Sequence, residues 1–428
     1  MTSRHELRGE LTSVDEVRLA AAQPQQLRDR AVQGVDLRGL DLAGVDVTDA
    51  LFLGCRFGDD RAAEADLVAR GAFVFPRLPD LPYDPWRHRL YEPTELMAGY
   101  GAGGYTGTRD FAIYAWYDQH RRSGRGIPIA ASLAMRIHDH AIDDALEEWL
   151  DTIDGRGMVG IMGGHSTLRT DPRFTDVVET AWLATRAGFT IATGGGPGIM
   201  EAGNLGAWLA NWSDRSVITE AVSMLAPAPK YAGPGAEGTD SWLAGLDAWL
   251  TTARAVVARF GPGASLQDVS RFGRDAVDPG RSLAIPTWFY GHEPSNLFSP
   301  AIAKYFANSI REDGLLAIST AGVVYAPGSA GTLQEVYMDL AQNHYATFAS
   351  HSPMVFLGHR EWGPMFGAVV GFVAAKKQWQ SGYGELIDLV ETPDEAVAFL
   401  EQNAMRPVER GTPLWQLRPP TFTDPGSD

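Results

Sequence analysis

Two segments of this 428-residue chain set a glycine-rich turn between an apolar run and an amphipathic stretch. The first is Thr193-Gly194-Gly195-Gly196-Pro197-Gly198-Ile199-Met200-Glu201, behind the run Gly188 to Ala192. The second is Ala326-Pro327-Gly328-Ser329-Ala330-Gly331-Thr332-Leu333-Gln334-Glu335, behind the run Gly322 to Tyr325. Short apolar runs bounded by turn residues predict buried strands, and the apolar period behind each turn predicts a helix. Strands alternating with helices build an open, mostly parallel sheet covered on both faces. Glycine lets backbone N–H groups approach a ligand with no Cβ in the way. A helix N-terminus behind it adds unpaired donors and a dipole suited to an anion. Two such loops in one domain predict a cleft for a phosphorylated small molecule.

Composition narrows the partners. Hydrophobic residues make up 45% and charged residues 21%, as in a globular protein. A formal net charge of −17 argues against a nucleic-acid polymer or an anionic membrane, which need clustered Lys and Arg. Backbone amides can still hold one small phosphate. Met1 to Arg30 is polar and lacks the apolar core of a signal peptide, and the chain has no run of 18 apolar residues. The single cysteine, Cys55, permits no intramolecular disulfide and fits a reducing, cytoplasmic setting.

Along the chain, residues 1–60 divide into an amphipathic helix, with Leu7, Leu11, Val14, Val17 and Leu19 among charges, and a five-residue rhythm. That rhythm runs from Val35-Asp36-Leu37-Arg38-Gly39 to Cys55-Arg56-Phe57-Gly58-Asp59, with apolar Leu37, Leu42, Val47, Phe52 and Phe57 at its centres. It resembles the pentapeptide-repeat family, whose coil turns the central side chain inward. Five units bury little by themselves, so a short structural cap is the favoured reading over a docking platform. Residues 61–150 are expected to be linker and helical region, with Leu78 to Tyr105 as a Pro-, Tyr- and Gly-rich loop and Arg109 to Leu150 helical. His138, Asp139, His140, Asp143 and Asp144 have no recognised metal spacing, and their place beside Glu147 and Glu148 reads as a solvated face.

Residues 151–402 form the α/β domain, and 403–428 a C-terminal tail. Expected strands are Met158 to Met162, Val217 to Met224, Ser282 to Tyr290 and Pro353 to Leu357, besides the two before the glycine turns. Expected helices include Phe174 to Arg186, Ile199 to Leu209 and Pro300 to Glu312. An insertion over about residues 226–281 contains a helical stretch, Trp242 to Phe260, and is either a lid or a surface excursion.

Neither glycine turn is a P-loop, and Ile199 stands where a dinucleotide-binding fingerprint would need its third glycine. Gly194-Gly195-Gly196-Pro197-Gly198-Ile199-Met200-Glu201-Ala202 and Pro327, Gly328, Gly331, Thr332 and Glu335 instead resemble the two signatures of the LOG family. Those proteins are phosphoribohydrolases that cleave nucleoside 5′-monophosphates. The resemblance spans roughly residues 155–402 and ends in Val390-Glu391-Thr392-Pro393-Asp394-Glu395-Ala396. It implies a Rossmann-like, doubly wound, mostly parallel sheet, here with an N-terminal helical and pentapeptide-repeat-like extension.

By the same resemblance, Gly328, Ser329, Ala330, Gly331 and the Thr332 hydroxyl would bind the 5′-phosphate. Gly194, Gly195, Gly196, Gly198 and Glu201 would line the cleft, with Gly163, His165 and Ser166 beside them. Glu335 would stabilise the sugar cation or position water. The mechanism requires no metal or redox cofactor, and family members are commonly homo-oligomers. One departure stands out. The family's catalytic arginine maps to Pro294 in Gly291-His292-Glu293-Pro294-Ser295-Asn296. Arg311 or Lys304 could supply a cation from the next helix, His292 and Glu293 could replace part of the machinery, and Asn343, His344 and Tyr345 end the helix behind Glu335. Two functional readings follow: an N-glycosidase, and a non-catalytic sensor or carrier of a nucleotide-like ligand.

Overall fold

The computed structural model describes residues 9–58, 62–78, 80–124, 126–275, 282–290, 293–345, 351–375 and 383–404. They fall into two compact units, one of Met1–Leu90 with Ala115–Thr152, the other of Tyr91–Tyr114 with Ile153–Asp428. Tyr91–Tyr114, within the stretch expected to be linker and helix, thus belongs to the unit that holds both glycine turns.

In the first unit, four short parallel strands, β1 (Glu10–Leu11), β2 (Ala31–Gln33), β3 (Leu51–Leu53) and β4 (Phe73–Phe75), lie in the order β1-β2-β3-β4. Ala31 pairs with Leu51 and Val32 with Phe52, so one circuit consumes four of the five-residue units. All five central side chains, Leu37, Leu42, Val47, Phe52 and Phe57, are buried in one cluster. Cys55 joins them, and burial pushes its thiol up to about 12.

The expected N-terminal helix contracts to Val14–Ala21, and Leu7 lies outside the described residues. Ser13 and Glu16 close a capping box at its start, and Pro24 disfavours helix in the residue before it. Leu19, read as part of the apolar stripe, is exposed. The helix Ile129–Asp151 also departs from expectation, because His138 and Asp139 face inward rather than to solvent. His138 Nδ1 lies 3.2 Å from Asp139 Oδ1, and the Tyr83 ring meets the imidazole edge-on. Burial holds the His138 pKa below its usual value.

The second unit is an α/β fold around a seven-stranded, all-parallel sheet. Its strands are β5 (Met158–Met162), β6 (Thr190–Thr193), β7 (Ser282–Ala284), β8 (Ala301–Ile302), β9 (Gly322–Tyr325), β10 (Met354–Leu357) and β11 (Ile387–Val390). The order is β11-β10-β9-β5-β6-β7-β8. From β5 the chain winds outward through β6, β7 and β8, then crosses back to β9 on the other side of β5 and winds outward again. This is the doubly wound, Rossmann-like arrangement. The order reverses between β5 and β9, so a crevice opens beyond their carboxyl ends, where such sheets bind ligands. The loops after β5, β6 and β9 all emerge there.

Three expected elements change. Val217 to Met224 is a helix, Ser216–Leu225, because Val217, Ile218, Ala221 and Leu225 fall on one buried face. The strand expected over Ser282 to Tyr290 stops at Ala284, two residues before Pro286. Pro300 to Glu312 divides into β8 and a helix, Asn308–Ile318. Every residue from Ala301 to Phe306 is buried, which one stripe of a surface helix cannot produce. The insertion's long helix, Asp240–Phe260, buries Trp242, Leu246, Trp249, Leu250, Ala253, Val256 and Phe260 in the main core. That segment is packed structure, neither a lid nor an excursion. The tail from residue 405 onward lies outside the described residues.

Candidate functional site

The turn after β6 is shaped by close backbone approach. Gly198 has φ +68°, and a Cβ there would lie 2.4 Å from the Gly164 oxygen and 2.6 Å from the His165 oxygen. At Gly194 a Cβ would meet Arg311 Nη2 at 2.2 Å and Met200 Sδ at 2.6 Å. The turn is pinned from within and from outside. The Thr193 hydroxyl donates to Asn204 Oδ1 at 2.7 Å and accepts from the Gly195 N–H at 3.0 Å. Asn296 donates its backbone N–H to the Gly195 oxygen at 2.8 Å, and its side-chain amide to the Gly196 oxygen and Asn204 Oδ1. Gly195, Gly196 and Gly198 are themselves buried. They hold the turn's shape, and Gly194 alone of the four faces the cavity described below.

Glu201 is not on the cleft. It is fully buried on the helix Ile199–Leu209 and gripped by the two-pronged guanidinium of Arg169, whose Nε lies 2.9 Å from its Oε2. Arg169 also donates to the oxygens of Ala228 and Trp249 and to the Thr252 hydroxyl, and stacks on the Trp249 ring at 4.6 Å. The pair therefore fastens the inserted helix to the helix behind the glycine turn. A buried carboxylate needs such a partner, which the early-helix position does not reveal.

The turn after β9 leads directly into the helix Ala330–Tyr345. The first N–H groups of a helix have no intrahelical acceptor, and the dipole there favours an anion. Gly328 is required by its own loop, since a Cβ would lie 2.0 Å from Thr332 Oγ1. The turns after β5 and β9 are joined by the Gly164 N–H donating to the Pro327 oxygen at 3.1 Å.

Two cavities flank the second turn. One, of about 470 Å³, is lined by Gly163, Gly164, His165, Gly194, Arg311, Ser329, Ala330, Gly331, Thr332 and Glu335, with Met200, Tyr290, Glu293, Glu312 and Gln334. The other, of about 650 Å³, is lined by Ser166, Thr167, Arg173, Gly328, Ser329, Leu333, Glu361 and Trp362 among others. The expected residues thus divide. Ser166 and Gly328 face the second cavity, Ser329 faces both, and the candidate acid and cation face the first.

Glu335 lies one helical turn beyond Thr332, with its carboxyl nearly buried. Burial pushes its pKa up to about 7, against the opposing pull of Arg311 and with a smaller push from Glu312. Arg311 Nη1 stands 4.0 Å from Glu335 Oε1. Its Nε donates to the Ile285 oxygen at 3.1 Å, which aims the guanidinium from the end of β7. Of the two cations considered for the place of Pro294, Arg311 is therefore the one at the cavity. Lys304 is buried elsewhere, 2.7 Å from Asp110 Oδ1 and 3.2 Å from the Ser295 hydroxyl, over the Trp288 ring. Asn343 is also buried away from the cavity, bonded to Asp339 and Ser352. The side chains of His344 and Tyr345 lie outside the described residues, as does the whole of His292.

Sequence reasoning missed the rim. Glu312 accepts from the Tyr290 hydroxyl at 3.2 Å, from Asn308 Nδ2 at 2.6 Å and from Gln334 Nε2 at 3.0 Å. These groups come from three elements and carry no shared spacing. Arg311 and Glu312 being adjacent, ahead of β9, was the one local signal. Among the described residues no group of three or more His, Cys, Asp or Glu is placed to hold a metal ion. No helix among them is long and apolar enough to cross a membrane.

No family model matches the chain, and no curated protein matches it. Among solved structures it is similar to a molybdenum cofactor binding protein from the phototrophic bacterium Rippkaea orientalis. The two are 13% identical, with 57% of this chain and 96% of that chain covered and a TM-score of 0.31.

Proposed function

We propose that the chain hydrolyses the N-glycosidic bond of a nucleoside 5′-monophosphate, releasing the base and ribose 5-phosphate. The observation that carries this reading is the Arg311–Glu335 pair lining a cavity whose wall includes the start of the helix Ala330–Tyr345. The amides of Ser329 to Thr332 and the Thr332 hydroxyl would take the 5′-phosphate, with the helix dipole favouring its charge. Ribose would then lie over Glu335. Breaking the bond between C1′ and the base develops positive charge on the sugar, which an ionised carboxylate stabilises. The same carboxylate can orient water and take its proton, since a group titrating near 7 is suited to that exchange at neutral pH. Arg311 keeps part of the Glu335 population ionised in spite of burial.

The sensor reading drew its support from Pro294. Arg311 supports the enzyme reading instead, as a cation brought to the same cavity from a different element. Base release from a panel of nucleoside monophosphates, followed by chromatography, is the test, with Glu335→Gln as its partner. Release that drops by about 10²–10³-fold in the variant is expected. Nucleotide binding with no release from the unaltered chain would overturn the enzyme reading in favour of a sensor or carrier.

A further inference from the structure

We propose that Tyr290 receives the base by stacking, and so restricts the site to substrates whose departing group is a flat aromatic ring. The proposal rests on the glycosidase reading above for where the phosphate and ribose lie. Tyr290 lines the same cavity as Arg311 and Glu335, yet is 53% exposed. Its hydroxyl accepts from Asn308 Nδ2 at 2.8 Å and donates to Glu312 Oε1 at 3.2 Å. The Asn308 amide also reaches that carboxylate oxygen, at 2.6 Å, which closes the triangle. A phenol that both donates and accepts has its polar tip satisfied, so what it offers a ligand is its ring. Phe289 meets that ring edge-on, with centroids 5.3 Å apart and planes at 86°. Such a contact covers at most one face. A ring tethered at its far end and open on a face is a platform for a base, since every base presents a π surface.

The chain leading to the ring is fixed as well. The Phe289 N–H donates to Thr287 Oγ1 at 3.0 Å, and the Trp288 N–H to the Tyr305 oxygen at 3.0 Å. Trp288 is buried, with its Nε1 2.9 Å from Asp110 Oδ1. The platform therefore stands ready before a ligand arrives, and little ordering cost falls on binding.

Its place beside the reacting pair follows from the same bonds. Asn308, Arg311 and Glu312 are neighbours on the first turns of the helix Asn308–Ile318. The other Glu312 oxygen accepts from Gln334 Nε2 at 3.0 Å, and Gln334 precedes Glu335. The phenol is thus tied to both helices, the one that supplies the cation and the one that supplies the acid. Glu335 lies about 7.5 Å along its helix from Ala330, where the phosphate site begins. Phosphate and base leave ribose from C5′ and C1′, at opposite ends of the sugar. A nucleotide with its phosphate at the helix start and its ribose over Glu335 sends its base away from that start, to the rim where Gln334, Glu312 and Tyr290 meet. Fused purine rings cover more of the platform than a pyrimidine does.

The test measures dissociation constants of adenosine 5′-monophosphate and ribose 5-phosphate by calorimetry on the full chain, Tyr290→Leu and Tyr290→Phe. Leucine is expected to weaken the nucleotide by about 5–150-fold and to leave ribose 5-phosphate within about twofold. Phenylalanine, which keeps the ring, is expected to hold the nucleotide within about fivefold. Circular dichroism checks folding, and Tyr290→Gln takes the place of leucine if that chain does not fold. Equal weakening of both ligands in a folded variant, or no weakening of the nucleotide, would overturn the proposal. Base release by the unaltered chain, followed in parallel, reports on the glycosidase reading separately. Release alongside an unweakened Tyr290→Leu removes the stacking role alone, whereas an unaltered chain that binds neither ligand removes both.

Discussion

At the scale of single residues, burial and one neighbouring charge decide what each acid can do. Arg311 holds the Glu335 carboxyl below the value that burial alone would set. In the proposed reaction Glu335 must be ionised, so kcat/KM rises with pH along a limb centred near 7. Arg311→Gln removes the opposing charge. The limb is expected to move to higher pH, and the plateau to fall by about 10²-fold, read from a pH–rate profile. A limb that stayed in place would show that the two groups do not interact electrostatically.

Asp339 offers a stability counterpart. It is fully buried, accepts from the Tyr325 hydroxyl at 2.8 Å, and burial raises its pKa from 3.8 to about 7. A folded-state pKa above the unfolded value means the native chain holds the proton more tightly. Its contribution is fully present below about pH 3.8 and is lost as pH rises through 7. Asp339→Asn keeps the hydrogen-bonding shape without the titration. Denaturant unfolding from pH 4 to 8 should show a flatter decline, by on the order of a few kcal/mol across the window. None of these environments was legible locally: an acid behind a glycine turn reads alike whether it faces a cavity, as Glu335 does, or an arginine in the core, as Glu201 does.

At the scale of elements, the glycine turns work through close backbone approach. Gly198 and Gly331 make the contrast. Gly198→Ala puts a Cβ against the Gly164 and His165 oxygens at a left-handed φ, and should cost about 1–3 kcal/mol in strain alone. A Cβ at Gly331 meets nothing within 4 Å, and Gly331→Ala in the first helical turn should be neutral or stabilising by about 0.4–1 kcal/mol. Paired urea titrations check both, and similar losses would contradict this account of the first turn. The turns were legible because glycine and an apolar period are local signals. Ser216–Leu225 was not, since its β-branched residues suggested a strand and only its packing against the core exposed the helical face. The segment Ala301–Phe306 failed for the opposite reason, being buried on every side and so without a period to read.

At the scale of the whole molecule, the sheet order gathers the site. β5 and β9 are adjacent although their sequences lie far apart, and the loops of β5, β6 and β9 meet where the order reverses. A ligand that bridges those loops should stabilise the second unit as a whole. Ribose 5-phosphate at about 100 times its dissociation constant is expected to add roughly 2.7 kcal/mol, measured by thermal unfolding. Stabilisation that persists unchanged in a Ser329→Glu chain would place the phosphate somewhere other than the second turn.

The amino-acid sequence by itself determined the α/β alternation, the two glycine turns and the inward rhythm of Leu37, Leu42, Val47, Phe52 and Phe57. Those follow from the steric freedom of glycine and from apolar spacing within a few residues. Only the tertiary structure decided which charges share the cavity: Arg311 rather than Lys304, Glu293 and Glu312 as well as Glu335, and Glu201 removed to the core by Arg169. The cost of burying a charge depends on partners brought in by distant strands and helices, and no local pattern records which partner arrives.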